Sequence, residues 1–195
     1  MKTIVRSNGL SGFARLVRQL GQDPQTLLSD AEVDVACLDN PDLYISYQSM
    51  AKLLNLAATK CSAPDFGFKL GKRQDLSILG ALAPYLCSQP SVADSFAIMQ
   101  RNLDFHVRGV RFTQASQGNQ HCIQLNFEPE LIAETPVDQL IALTVSNLTI
   151  LLGQLSNDQI KPVQISLTTA NPNVNSGNDY GLGCPITFDA PVNQV

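Results

Sequence analysis

Val110-Arg111-Phe112-Thr113-Gln114-Ala115-Ser116-Gln117-Gly118-Asn119-Gln120-His121-Cys122-Ile123-Gln124-Leu125-Asn126-Phe127-Glu128 is the stretch that decides the fold class. Val110 to Thr113 alternates apolar and polar, as a half-buried strand must. Gly118-Asn119 marks a turn. Ile123, Leu125 and Phe127 then alternate with Cys122, Gln124, Asn126 and Glu128. Two alternating runs around a glycine-containing loop predict a β-hairpin.

Before this stretch the period is helical. Phe13, Leu16, Val17 and Leu20 recur at helical spacing and Gly21 stops the run. Asp23-Pro24 has the cap-then-proline order of a second helix carrying Leu27 and Leu28. After a Pro41 turn, Ser46 can cap a third helix with the stripe Met50, Leu53, Leu54, Ala57 and Cys61. Pro64-Asp65 opens a short fourth helix ending near Gly71. Leu76 to Cys87 reads as a buried turn or helix broken by Pro84. Ser91 to Asp94 is a capping-box pattern ahead of Phe96, Met99 and Leu103.

Beyond the hairpin, Thr135-Pro136-Val137-Asp138 predicts a capped start for a long helix. Val137, Ile141, Leu148, Leu151, Leu152 and Leu155 lie on one face, with Leu143, Val145 and Ile150 off it. Such a helix is buried on more than one side, against the sheet and either the helical half or a partner subunit. Val163, Ile165 and Leu167 predict a third strand. A polar loop from Asn171 to Asn178 leads to a last strand at Ile186 and Phe188. The expectation is an α+β fold over residues 1–195 as one domain: a helical half, then a small, mainly antiparallel sheet in β-β-α-β-β order packed on helices.

Composition narrows function by exclusion. The 195 residues carry 13 basic and 17 acidic side chains, a net charge of -4, so this chain lacks the basic footprint of a DNA binder. Apolar residues make up 44%, which excludes disorder. The N-terminus has no apolar stretch resembling a secretory signal. The weakly charged window from Gln139 to Asn157 is interrupted by Thr144, Ser146, Asn147, Thr149 and Gln154, and reads as a buried helix rather than a membrane span. The Asn147-Leu148-Thr149 sequon falls mid-helix and reads as chance. Cys37, Cys61, Cys87, Cys122 and Cys184 are scattered, as free thiols of a reducing cytoplasm would be.

No phosphate-binding glycine loop, nucleophile elbow or clustered metal-ligand set occurs, so neither an enzyme nor a cofactor site is expected. His121 reads as a strand-end residue. Lys69, Lys72 and Arg73 read as a solvated helix end. His106, at the corner between helix and strand, reads as a helix cap, with a pocket group or an axial haem ligand as alternatives. A ligand site is expected where the helical half meets the sheet, with Tyr85, Arg101, His106 and Arg111 as its candidates.

The order of landmarks also resembles a known family. Gly21, Asp23 and Leu27-Leu28 are followed by Leu38, Asn40-Pro41-Asp42 and Ile45, then by Leu53-Leu54 and Ala57-Ala58. Pro64-Asp65-Phe66-Gly67-Phe68-Lys69-Leu70-Gly71 comes next, then Leu79-Gly80 and Gln89-Pro90-Ser91, and finally Leu182-Gly183-Cys184-Pro185-Ile186-Thr187-Phe188. This series resembles the N-terminal, arabinose-binding-like domain of AraC-type transcriptional regulators from about Gly9 to Val195. Leu182 stands where that family has Phe, and Gln89 where it has Ser. The resemblance implies an effector-sensing, dimerising domain of a cytoplasmic regulator. It also implies an Arg-rich pair of helix-turn-helix motifs that binds DNA. No such signature follows Phe188, so the chain is expected to be a fragment that contacts DNA only through that further part. The helix from Val137 to Leu155 is the expected homodimer surface. A haem- or cofactor-binding sensor or enzyme and a pure oligomerisation module are the rival readings.

Overall fold

The computed structural model describes residues 3–117, 120–172 and 179–195. The expected turn at Gly118-Asn119 and most of the polar loop from Asn171 to Asn178 lie outside the described residues. The fold is α+β, with two sheets and a helical body among the described residues.

The helical half begins with a strand, β1 (Ile4–Arg6), which is followed by α1 (Phe13–Gln19) and α2 (Pro24–Asp30). Asp23 caps α2 by accepting from the Gln25 and Thr26 amides, and the Thr26 hydroxyl and amide hold its carboxyl below the usual range. Strand β2 (Tyr44–Ser46) runs directly into α3 (Tyr47–Lys60), whose first turn is capped by Ser46. The expected stripe Met50, Leu53, Leu54, Ala57 and Cys61 is buried. Then come α4 (Phe66–Gly71), α5 (Leu82–Cys87) and α6 (Val92–Asn102), which Ser91 caps at the Asp94 amide. Pro84 does not break α5. It sits in the first turn, where its missing N–H would have had no helical acceptor.

Strand β3 (Val107–Arg108) joins β1 and β2 in a three-stranded antiparallel sheet, order β2-β1-β3. The chain then leaves that sheet at Gly109, whose φ is +129°. A Cβ there would lie 2.8 Å from the Tyr47 ring, so only glycine lets the strand turn over α3 at this distance. The expected hairpin follows as β4 (Val110–Gln117) and β5 (Gln120–Phe127), with Val110 opposite Phe127 and Phe112 opposite Leu125. A helix that periodicity did not reveal, α7 (Pro129–Glu134), comes next. Its presence moves the start of the long helix: α8 is Asp138–Leu155 with Val137 at the cap position, and Thr135 ends α7 instead of capping α8.

The second sheet is completed by β6 (Ile165–Ser166), β7 (Ile186–Thr187) and β8 (Asn193–Gln194), in the order β4-β5-β8-β6-β7. The final strand inserts between β5 and β6, antiparallel to both, while β6 and β7 are parallel. Val163 stays outside β6 and is 72% exposed.

Helix α8 is the centre of the molecule. Leu140 to Leu143, Val145, Ser146, Leu148, Leu151 and Leu152 are buried, and α3, α4, α6 and the 3-10 turn Leu76–Leu79 pack around it. Of its residues off the main stripe, Leu143 and Val145 are thus covered within the chain, whereas Ile150 is only partly buried. Helix α4 crosses α8 at backbone contact. A Cβ on Gly67 would fall 2.2 Å from the Gln139 carbonyl oxygen, and one on Gly71 2.4 Å from Ser146 Cβ. The basic cluster beside this crossing is engaged locally: Lys69 pairs with Asp65 at 2.6 Å and Lys72 donates to the Tyr180 carbonyl at 2.6 Å.

Candidate functional site

The helical body and the sheets do not close completely against each other. A cavity of about 90 Å³ remains where β1, α3, α6, β3, β4 and α8 converge. Its wall is mostly hydrocarbon and thioether: Val5, Met50, Ile78, Leu79, Met99, Leu103, Val107, Val110 and Phe112 on the outer sides, and Leu140, Leu143, Leu148 and Leu151 from α8. Tyr47, His106, Thr144 and Asn147 are its polar side chains.

Tyr47 opens α3 and is fully buried, its ring tilted against Phe127 at 6.4 Å. Its hydroxyl is hydrogen-bonded to Thr144, and burial raises the phenol well above its ordinary pKa. Thr144 donates to the Leu140 carbonyl one turn earlier at 2.8 Å.

Asn147 stands one turn after Thr144, and its orientation is set at second hand. Gln74, itself buried, donates from Nε2 to the Gly9 and Ser11 carbonyls at 2.9 Å each. Its Oε1 can then only accept, and it takes the Asn147 Nδ2 hydrogen at 2.8 Å. Asn147 Oδ1 is left as an acceptor, and this buried atom has no hydrogen-bond partner.

His106 follows the 3-10 turn Leu103–Phe105 that ends α6. Its amide donates to the Leu103 carbonyl at 2.8 Å, and its carbonyl accepts from the Arg6 amide at 2.9 Å. The turn and β1 thereby hold the ring in the cavity wall. The ring is half-buried as a whole, but Nδ1 is sealed from solvent and has no partner. Burial, helped by the Arg6 charge, pushes its pKa down to about 4, so the imidazole is neutral at physiological pH. Thr149 Oγ1, the third buried atom without a partner among the described residues, does not line the cavity.

Of the four candidates from sequence, His106 lines this cavity and the other three do not. Tyr85 is 56% exposed on α5. Arg101 is exposed in the last turn of α6. Arg111 is 80% exposed and pairs with Glu128 at 3.3 Å. Alternation places Phe112 inward, so its neighbour Arg111 faces water. Tyr47, Gln74, Thr144 and Asn147 were missed. The signal for two of them was present: Thr144 and Asn147 are polar residues one turn apart inside the apolar pattern of α8.

Among the described residues, no group of three or more His, Cys, Asp or Glu side chains could hold a metal ion, and no helix is long and apolar enough to cross a membrane. A haem macrocycle is far larger than the cavity beside His106. Cys37, Cys61 and Cys184 are buried, and burial raises their thiol pKa values.

Residues 21–195 match the family described as the arabinose-binding domain of AraC transcription regulator, N-term. The chain belongs to this family. It is also similar to the HTH-type transcriptional regulator VirS of two Mycobacterium tuberculosis strains, CDC 1551 / Oshkosh and ATCC 25618 / H37Rv. Identity is 23% over 189 residues in each case. The alignment covers 95% of this chain and 55% of each relative, so the chain spans about half the length of the curated relatives it matches. As an AraC-regulator domain, it is a regulatory domain of a transcription factor family.

Proposed function

We propose that this domain senses a small molecule in the cavity between α3, α6, α8 and the two sheets, and thereby controls an attached DNA-binding part. The observation that carries the reading is the pair of buried polar atoms without protein partners, Asn147 Oδ1 and His106 Nδ1, both on residues of one mostly apolar wall. An unmatched buried polar group costs stability, and a bound molecule that pairs with it recovers that cost. The wall draws on α3, α6, α8, the 3-10 turns Leu76–Leu79 and Leu103–Phe105, and strands of both sheets. A ligand that favours one arrangement of them shifts the population and so changes how the DNA-binding part is presented. The similarity to a helix-turn-helix regulator supports that coupling. The regulator works in the cytoplasm as a homodimer, since two DNA half-sites call for two-fold symmetry.

The test is a thermal-shift screen of small metabolites on the chain, followed by operator binding of the full-length regulator with and without the hit. A ligand that binds only the folded state raises the midpoint. Leu151→Phe, which fills the cavity, is expected to abolish both the shift and the operator response. An operator response that survives this substitution would place sensing elsewhere.

A further inference from the structure

We infer that the cavity takes a small uncharged alcohol, a hydrocarbon body bearing one or two hydroxyl groups, and not a sugar or an ionised metabolite. The inference rests on the sensing reading above and names its ligand class.

Charge is the first discriminator. Among the described residues, no Asp, Glu, Lys or Arg lines the cavity. Arg6, whose charge bears on His106, is turned to its ion pair with Asp42 and is not part of the wall. His106 itself is neutral at physiological pH, since burial and the Arg6 charge both disfavour its protonation. A carboxylate, phosphate or ammonium group buried here would lose its hydration without meeting a counter-charge, which protein interiors do not tolerate.

Hydrogen-bonding capacity is the second. Tyr47 and Thr144 satisfy each other, and the Thr144 proton is committed to the Leu140 carbonyl. Two unmet positions remain. Asn147 Oδ1 can only accept, so it requires a donor such as a hydroxyl. His106 Nδ1 accepts or donates according to its tautomer, so it suits the same hydroxyl or a second one. A pentose such as arabinose carries an oxygen on every carbon, and most of these would face Val5, Met99, Val110 and Leu148 without a partner. The family's descriptive name therefore does not fit the wall that this chain builds.

Size is the third. The cavity, at about 90 Å³, is smaller than the roughly 150 Å³ apolar cavity known to accept benzene. Scaled on benzene's six heavy atoms, that corresponds to a body of roughly four, and the partly open mouth of the cavity leaves room for one or two more.

The experiment is a methyl- and amide-detected NMR titration of the chain with butan-1-ol, cyclopentanol, butanoate, butylammonium and L-arabinose. The two alcohols are expected to bind with millimolar Kd values, shifting the methyl groups of Met50, Ile78 and Leu148 and the Asn147 side-chain amide. They should bind at least tenfold more tightly than the two ions or the sugar. Asn147→Leu should weaken butan-1-ol at least tenfold. Because that change also strips Gln74 of its partner, Leu151→Phe serves as a second variant that touches no polar group and should abolish the methyl shifts. Tighter binding of butanoate, butylammonium or arabinose at these methyl groups overturns the inference and leaves the sensing reading standing. Failure of both alcohols to bind overturns it too. Alcohol binding that Leu151→Phe abolishes, with an unchanged operator response, upholds the ligand class and overturns the sensing reading instead.

Discussion

Phe68 stacks on Tyr180 with ring centroids 4.5 Å apart and planes 19° from parallel, and Phe188 meets the same tyrosine edge-on at 5.8 Å. Phe68 belongs to the Phe66–Gly71 landmark and Phe188 to the Gly183–Phe188 landmark. Two landmark segments of the sequence, more than 100 residues apart, are thus parts of one aromatic cluster. Their joint presence reflects a packing requirement between α4 and the last third of the chain.

That cluster makes a measurable claim. Phe68→Ala is expected to cost about 3–5 kcal/mol, because Phe68 is fully buried and a cavity would remain. Combined with Tyr180→Ala, it should show a coupling of about 0.5–1.5 kcal/mol beyond the loss of apolar contact. Denaturant unfolding of the wild type, the two single variants and the double variant checks this. Strict additivity would mean that the stacking contributes nothing of its own.

Gln74 is the next case. It satisfies the Gly9 and Ser11 carbonyls and the Asn147 amide from a buried position. Gln74→Leu removes three hydrogen bonds and leaves their partners buried, so a loss of about 2–4 kcal/mol is expected. Asn147→Leu should cost less, because it also deletes an acceptor that had no protein partner. Urea titrations with unchanged m values would establish the order, and the reverse order would contradict the network described.

Legibility in the sequence followed length of element and period. The caps at Asp23, Ser46 and Ser91 and the hairpin from Val110 to Phe127 could be read because each has a local signal: an acceptor side chain ahead of a helix, or strict alternation over several residues. Strands β1, β2 and β8 could not, since two or three residues carry no period and pair only with distant segments. Pro84 misled because a proline inside an apolar run reads as a break unless the helix start is known. The location of the cavity, at the corner between α6 and β4, was legible from the change of period there. Its polar residues were not, apart from His106. Arg101 and Arg111 drew attention by their charge, whereas the polar side chains of the cavity wall are Tyr47, His106, Thr144 and Asn147, and the Asn147 amide is oriented through Gln74, a contact 73 residues away in sequence.

The pH dependence follows from His106. Its folded pKa, about 4, is depressed below the roughly 6.5 of an unfolded chain, by burial first and by Arg6 second. At pH 7 both states are neutral and the group contributes nothing. Between about pH 6.5 and pH 4 the unfolded chain takes up a proton and the folded chain does not, so stability is lost as pH falls through that window. Below about 4 both states are protonated and the loss levels off. Measured against His106→Gln, the wild type should lose up to about 3 kcal/mol between pH 7 and pH 4. A difference between the two proteins that stays flat over this range would show that the imidazole is not held neutral.

Gly71 offers a prediction whose sign opposes helix propensity. Alanine is the better helix former by about 0.8–1 kcal/mol, so on an exposed helix Gly→Ala would stabilise. Gly71 lies in α4 where it crosses α8, and an added Cβ would sit 2.4 Å from Ser146 Cβ and 3.1 Å from the Leu143 carbonyl oxygen. Neither neighbour is the free end of a flexible side chain, so α4 and α8 would have to separate, and Leu143 and Asn147 of the cavity wall would move with α8. Gly71→Ala is therefore expected to destabilise by about 2–3 kcal/mol net and to weaken any ligand bound in the cavity. Ser146→Gly in the same chain removes the closest clash, so the double variant should recover at least about 1 kcal/mol relative to Gly71→Ala alone. Thermal or urea unfolding of the three variants decides the matter: a neutral or stabilising Gly71→Ala, or a Ser146→Gly that fails to rescue it, would show that the two helices are not in backbone contact.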